Sequence, residues 1–361
     1  MPRAKAFLPL LLTIAFLLAP AAAQAVPRGF FGIVPQTSID REDLSRMRAG
    51  GVETIRMPVS WAATQRTPRS DYNWAGLDAS VADAARDGIE ILPVLGTSPN
   101  WATGNWRRMP VDSGRQRRAW ADFVGAVVAR YGTRGEFWDE HGPGSADPLP
   151  RTPIRAWQIW NEENFFYFVK PVSPGRFARL LAVTGKAVRQ ADPKAEIVLG
   201  GLFGEPKQGM PRGLDAVDFL KQLYRKRGVK ANFDAVALHP YAADVGELRR
   251  QVEEVRRTMV RHGDRRSDLY LTEIGWGSAY NPQTVAFEVG LQGQARELRA
   301  AYRYLLANRG RLRLKQVDWF TWKDLPGGCN FCDSSGLFRQ GERFRPKPAW
   351  RAFVQITRRA R

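Results

Sequence analysis

The sequence predicts an α/β fold closed into a (β/α)8 barrel, and three observations carry that expectation. Eight short apolar runs alternate with amphipathic stretches from Phe30 onward, the pattern of repeated strand–helix units and a parallel sheet. The 361 residues suit one such barrel, which commonly takes about 250 residues and grows past 400 with insertions. The fourth and seventh runs each end in glutamate, where barrel active sites gather. A doubly wound sheet is the competing architecture, but no G-x-G-x-x-G fingerprint follows the first run. The reading is therefore a single-domain TIM barrel.

Taken in order, the expected strands are 30–34, 54–57, 89–95, 156–161, 197–202, 235–239, 269–273 and 317–322. Between them lie helical stretches. One opens at Ser173-Pro174, a favourable cap and first-turn pair, and places Phe177, Leu180, Leu181 and Val188 on one face. Segments 115–131 and 245–261 have the same mixture of apolar and charged residues, while Gly32, Gly96 and Gly275 mark passages from strand to loop. Segment 132–152, rich in Gly, Pro and charge, reads as a loop before strand four. No shift in composition marks a second domain, no repeat of solenoid length is present, and an appended carbohydrate-binding sandwich has no room.

Residues 1–25 read as a signal peptide. Arg3 and Lys5 precede an apolar stretch from Ala6 to Leu18, and Ala23-Gln24-Ala25 supplies an A-x-A cleavage site. Residues 26–361 are then the mature barrel, and the expectation is an exported, secreted or cell-envelope protein. The stretch is shorter than the roughly 18 residues of a spanning helix, so no stable membrane insertion is expected. Export favours a disulfide between Cys329 and Cys332 over a reduced redox pair. With only His141, His239 and His262 and no second cysteine pair, a zinc site is not expected. The formal net charge of +19 falls by two once Arg3 and Lys5 leave with the signal. That excess reads either as attraction to an acidic partner or as arginine-biased composition, and the charges look scattered over helix faces. No nucleic-acid module is visible.

The chemistry points to Glu162, in Trp-Gln-Ile-Trp-Asn-Glu, and Glu273, in Leu-Tyr-Leu-Thr-Glu-Ile-Gly-Trp. Cleaving a glycosidic bond needs one carboxylic acid to protonate the leaving oxygen and one carboxylate across the sugar. Strand ends four and seven would hold such a pair rigidly, and neither metal nor organic cofactor is needed. A strand-end glutamate is otherwise a salt-bridge partner; the conjunction of the two is what favours catalysis.

Trp160-Asn161-Glu162 and Thr272-Glu273, together with Phe31-Gly32, Arg56, His239-Pro240-Tyr241 and Trp322, resemble clan A retaining glycoside hydrolases with a (β/α)8 barrel. In that clan the acid/base follows an Asn on strand four and the nucleophile ends strand seven. The Phe137-Trp138 region and the run from Ile154 to Glu162 are most similar to family 39 relatives, and next to family 5 cellulase-like proteins. The resemblance covers most of the mature chain. It implies Glu162 as acid/base, Glu273 as nucleophile, and a retaining double displacement on an oligo- or polysaccharide. The chain departs from the family at Glu163, where the motif has Pro; a second carboxylate thus stands beside the expected acid, and Glu162 is favoured by its place after Asn161.

Around this pair, Arg56 would hydrogen-bond Glu273 and keep it ionised, or serve as a structural salt bridge. Asn161 would grip a sugar hydroxyl or cap the strand. His239 and Tyr241 would face the site, Tyr241 on Glu273, or pack at a strand end. Among loop tryptophans, Trp61, Trp101, Trp106, Trp276 and Trp322 are expected to stack on sugar faces, while Trp319 and Trp350 belong to the core. Phe165-Phe166-Tyr167 lines the cleft or covers the rim. A neutral β-glycan or exopolysaccharide is the expected substrate, and the arginine-rich surface admits a uronate-bearing one, with no residue placed to name its partner. The other function classes are a catalytically silent glycan-binding protein on the same barrel and a basic envelope-adhesion protein.

Overall fold

In the computed structural model the described residues are 26–205, 213–280, 286–329, 332–341 and 345–361. The expected signal peptide, 1–25, lies outside them. Eight parallel strands close a barrel in sequence order: β1 (Phe31–Val34), β2 (Thr54–Ser60), β3 (Glu90–Gly96), β4 (Ala156–Asn161), β5 (Glu196–Phe203), β6 (Ala235–His239), β7 (Asp268–Ile274) and β8 (Leu314–Phe320). The seam is the β1–β8 pairing, from Phe31 opposite Val317 to Val34 opposite Phe320. Every expected strand is present, with ends displaced by a few residues.

Each strand is followed by a long helix: α1 (Arg41–Ala49), α2 (Ala75–Arg86), α3 (Gly114–Tyr131), α4 (Pro174–Ala191), α5 (Ala216–Tyr224), α6 (Val245–Arg261), α7 (Gly290–Ala307) and α8 (Pro348–Ala360). Local chemistry starts several of them. Asp40 caps α1 in a reciprocal capping box with Asp43, Ser113 does the same for α3 with Gln116, and Ser173 caps α4 with Pro174 in the first turn. In α6, Leu248, Val252, Val255 and Met259 recur at helical spacing and are buried, so the helix lies on the barrel by its apolar stripe. Segment 132–152, expected as loop, contains the short helix Glu136–Glu140, whose Phe137 and Trp138 are buried.

Strand alternation divides the molecule into two cores. Ile55, Ile91, Trp157, Ile159, Ile197, Leu199, Val236, Leu238, Val317 and Trp319 belong to the apolar belt between sheet and helices. Facing the barrel axis, Leu92, Val198, Ala235, Ala237 and Tyr270 form a smaller apolar plug. Toward the strands' C-terminal ends the interior turns polar. Arg56 Nε donates to Gln158 at 2.7 Å, and the Gln158 amide donates to Thr272 Oγ1 at 3.3 Å, which lies 3.0 Å from His239 Nε2. This chain of bonds ties β2, β4, β7 and β6 together directly beneath the mouth of the barrel.

Strand eight runs earlier than expected. Gln316, Asp318 and Phe320 share the inward parity, and a strand continuing to 322 would have put Trp322 beside them. The chain instead leaves the sheet after Phe320, where the Thr321 hydroxyl donates to the Val34 carbonyl, and the Leu337 and Phe338 amides bond Trp322 O. Trp322 is thereby carried outward.

Candidate active site

Glu162 and Glu273 meet in one cleft of about 530 Å³ at the C-terminal ends of the strands. Their side chains converge because β4 breaks its alternation. Trp160 has φ of +70° and Glu162 of +44°, conformations that cost a non-glycine residue of order 1–3 kcal/mol. The kink brings both Asn161 and Glu162, adjacent in sequence, to the barrel mouth. Thr97, at the end of β3, also has positive φ and lines the same cleft, so the described strain is concentrated there, Arg313 excepted.

Glu273 is held by donors on both oxygens. Arg56 donates to Oε1 at 2.6 Å and the Tyr241 hydroxyl to Oε2 at 2.5 Å. Arg56 also donates to Asn161 Oδ1 at 2.6 Å. Glu162 has a different partner, His239 Nδ1, at 2.8 Å from Oε1. Burial and the Arg56 charge hold His239 well below its ordinary pKa, so the ring is neutral. The ring bridges the two strands' groups, Nδ1 lying against Glu162 and Nε2 against Thr272 Oγ1, which also receives the Gln158 amide.

The two carboxyls sit in unequal fields. Burial first, then the charge of Glu273, pushes Glu162 well above the carboxylate range. Burial also raises Glu273, but Arg56 and the Tyr241 hydrogen bond oppose it. Unequal environments of this kind separate an acid from a carboxylate. Oxygens of Glu162 and Glu273 and a nitrogen of His239 lie within 4.8 Å of one another, the one grouping of such donors among the described residues compact enough for a cation. The Arg56 guanidinium already balances charge there.

Glu163, the second carboxylate, lies outside the cleft lining, fully buried, and neither carboxyl oxygen has a hydrogen-bond partner. Gly200 makes its space: a Cβ there would stand 2.0 Å from Glu163 Oε2. Gly201 does the same for His239, whose Nε2 would be 1.9 Å from an added Cβ. These two glycines were missed by sequence reasoning, although a Gly-Gly pair inside a strand is the available signal of close approach.

Of the expected site residues, Glu162, Glu273, Arg56, Asn161, His239 and Tyr241 are brought together. The aromatics require correction. Trp61 is fully buried, edge-on to Trp101 and Trp120, with Nε1 bonded to Gln65. Trp101 packs on Trp61 and donates to the Gln65 carbonyl rather than facing the cleft. Trp276 is fully buried against Trp319 and donates to the Ala243 carbonyl. Trp322 is fully buried, bonded to Asp43 and packed with Phe338 and Trp350. The three buried rings have no face for a sugar, because the belt between sheet and helices gains more from them than a loop does. The cleft is walled instead by Trp106, which is 47% exposed, and by Trp160, Phe203, Phe287 and Phe320. Phe165 stacks on Phe203 behind it, and Tyr167 lies exposed at the rim. Cys329 and Cys332 are disulfide-bonded, as expected, and line the cleft edge.

No protein-family model matches the sequence, and no curated protein matches it. Solved structures do. The chain is similar to a family 39 glycoside hydrolase from Bacteroides cellulosilyticus WH2 with TM-score 0.65 and 20% identity, covering 92% of this chain and 64% of that one. It thus spans less than two thirds of that enzyme's length. A glucosidase from Croceicoccus marinus aligns with TM-score 0.66 and 17% identity over 94% of this chain and 69% of the other. A monomeric beta-xylosidase from Caulobacter crescentus CB15 gives 0.61 and 20%, over 92% and 68%. At such identities the likeness is one of fold, and the fold this chain shares is the (β/α)8 barrel of glycoside hydrolases.

Proposed function

We propose that this chain hydrolyses β-linked O-glycosidic bonds of an oligo- or polysaccharide by retaining double displacement. The observation that carries the reading is the pair Glu162 and Glu273, converged within 4.8 Å in one cleft and placed in unequal charge environments. Retaining enzymes hold their carboxyls about 5–5.5 Å apart, whereas inverting enzymes leave about 6.5–9.5 Å for a water. The proteins of similar fold include a glycoside hydrolase, a glucosidase and a beta-xylosidase, which supports this chemistry.

In this reading Glu162, neutral and oriented by His239, protonates the leaving oxygen as Glu273 attacks the anomeric carbon. Arg56 and Tyr241 fix the nucleophile and keep it ionised. Esterification of Glu273 removes the charge that raised Glu162, so Glu162 ionises and takes the proton of the water that frees the sugar. Asn161 binds a sugar hydroxyl, and Trp106 offers an exposed ring face to its apolar side. The apolar walls favour a neutral glycan. Export through the N-terminal segment completes the proposal; secreted protein beginning at Val26 would test it.

The deciding experiment exposes wild type and Glu273→Gln to an array of β-linked aryl glycosides and polysaccharides and follows the first product's anomeric configuration. Release with retention by wild type alone is expected. Release with inversion would overturn the mechanism. Glycan binding without release, unchanged by the substitution, would make the chain a silent binding protein.

A further inference from the structure

The arginine excess looks scattered in sequence, but the fold gathers part of it. Because all eight strands are parallel, every helix-to-strand connection lies on the barrel face opposite the cleft. The connections entering β6, β7 and β8 and the end of α8 adjoin one another there. Lys230, ahead of β6, bonds the His262 carbonyl ahead of β7, and α8 packs on α7 through a groove shared by Arg303 and Arg359. Across residues 225–234, 262–267, 308–313 and 358–361, Asp234 and Asp264 are the only acidic side chains. Arg225, Arg227, Arg265, Arg266, Arg358 and Arg359 are exposed and have no acidic partner among the described residues. Their neighbours Arg311, Arg313 and Arg361 are paired with Glu253, Asp268 and Glu53, so the uncancelled charge on this face is that of the six. On the other side of the base, Asp139, Glu140 and Asp147, in the connection to β4, are paired with Arg151, Arg130 and Arg86.

We infer that the β6–β8 half of the barrel's base is a docking surface for a polyanionic polysaccharide, one bearing carboxylate, sulfate or phosphate groups. Guanidinium groups present planar forks that match such oxyanions, and a concentrated positive field raises their local concentration. Unpaired arginines keep that field uncancelled. Among the described residues the large exposed apolar side chains, Trp106, Tyr167 and Tyr280, all lie on the mouth side, so the basic face has no exposed apolar wedge for a bilayer, and its rings Tyr224 and His262 are half-buried and stacked on each other. The surface goes beyond the proposed hydrolysis: it would hold the protein on an acidic polymer while the opposite face stays free to cut.

The test is equilibrium binding of fluorescent polygalacturonate to the mature chain at low and moderate salt. Arg225→Glu/Arg265→Glu is compared with the mouth-side pair Arg66→Glu/Arg69→Glu, which changes net charge equally. Salt-weakened binding that the base pair reduces at least fivefold, and the mouth pair less than twofold, is expected; Arg358→Glu/Arg359→Glu is a second, independent base variant. Melting curves check that each variant folds. Equal losses in both pairs, absence of polygalacturonate binding by wild type, or base-dependent binding only to anionic-lipid vesicles or duplex DNA would overturn the inference. Run in parallel on Glu273→Gln, the assay needs no turnover, so docking and hydrolysis fail separately.

Discussion

Glu162 and Glu163 are neighbours with the same carboxyl, yet one opens on the cleft and the other is sealed behind β5. Glu162 has His239 at 2.8 Å and faces a second carboxylate. Glu163 has no partner on either oxygen, and burial alone drives its pKa up, to about 8. Burial pushes both toward the neutral form. On Glu162 the charge of Glu273 adds to it, and catalysis removes and restores that charge; on Glu163 burial is the one raising cause, and no step of the reaction changes it. Partners, more than burial, make a carboxyl a reagent.

The largest effect that separates them is on turnover. Glu162→Gln should lower kcat on substrates with poor leaving groups by about 10²–10⁴-fold, the usual worth of a positioned acid. Activated aryl glycosides, which need less protonation, should suffer less. A comparable loss in Glu163→Gln would break the comparison. Next comes the field around the nucleophile. Arg56 lowers the Glu273 pKa, so Arg56→Met should raise it, moving the acid limb of the pH–rate profile to higher pH with a loss of about tenfold or more at neutral pH. An unmoved limb would mean that Arg56 only braces the strands.

The third test addresses the pocket rather than the proton. A methyl group at Gly200 would stand 2.0 Å from Glu163 Oε2 and 2.9 Å from the Ile159 carbonyl. Gly200→Ala should therefore cost about 1–3 kcal/mol in denaturant unfolding, the usual cost of overpacking. Adding Glu163→Ala should recover part of that cost, since the nearest atom is then gone, while simple additivity would place the clash elsewhere.

This contrast also marks what could be read from the chain alone. Apolar period, caps such as Ser173-Pro174 and the two strand-end glutamates were legible because they depend on local pattern. Arg56, His239 and Tyr241 followed once strand numbers were assigned. The direction of Glu163 was not legible, because it depends on a positive φ at Trp160 and Glu162 that breaks strand alternation. Trp322 failed for a similar reason: its parity along β8 was right, but the chain left the sheet after Phe320. Tryptophan count signals large rings to be placed, and the fold placed Trp61, Trp276 and Trp322 in the belt.

The smallest expected effect on catalysis is that of Glu163→Gln, and it shows itself in stability. With its folded pKa raised from 4.5 to about 8, Glu163 keeps its proton in the native state over a range where the unfolded chain has released it. Its contribution is present in full below about pH 4.5 and is lost as pH rises through about 8, the reverse of a salt-bridged carboxylate. Gln cannot ionise, so its offset from wild type should change with pH. Between pH 5 and 8 wild type should lose stability relative to Glu163→Gln, by on the order of a few kcal/mol. Denaturant titrations at several pH values read that slope free of any constant cost of burying the amide, and activity should stay within about threefold. Parallel stability curves would mean that Glu163 already shares its charge with water, and the sealed pocket behind β5 would then be no different from the open cleft in front of it.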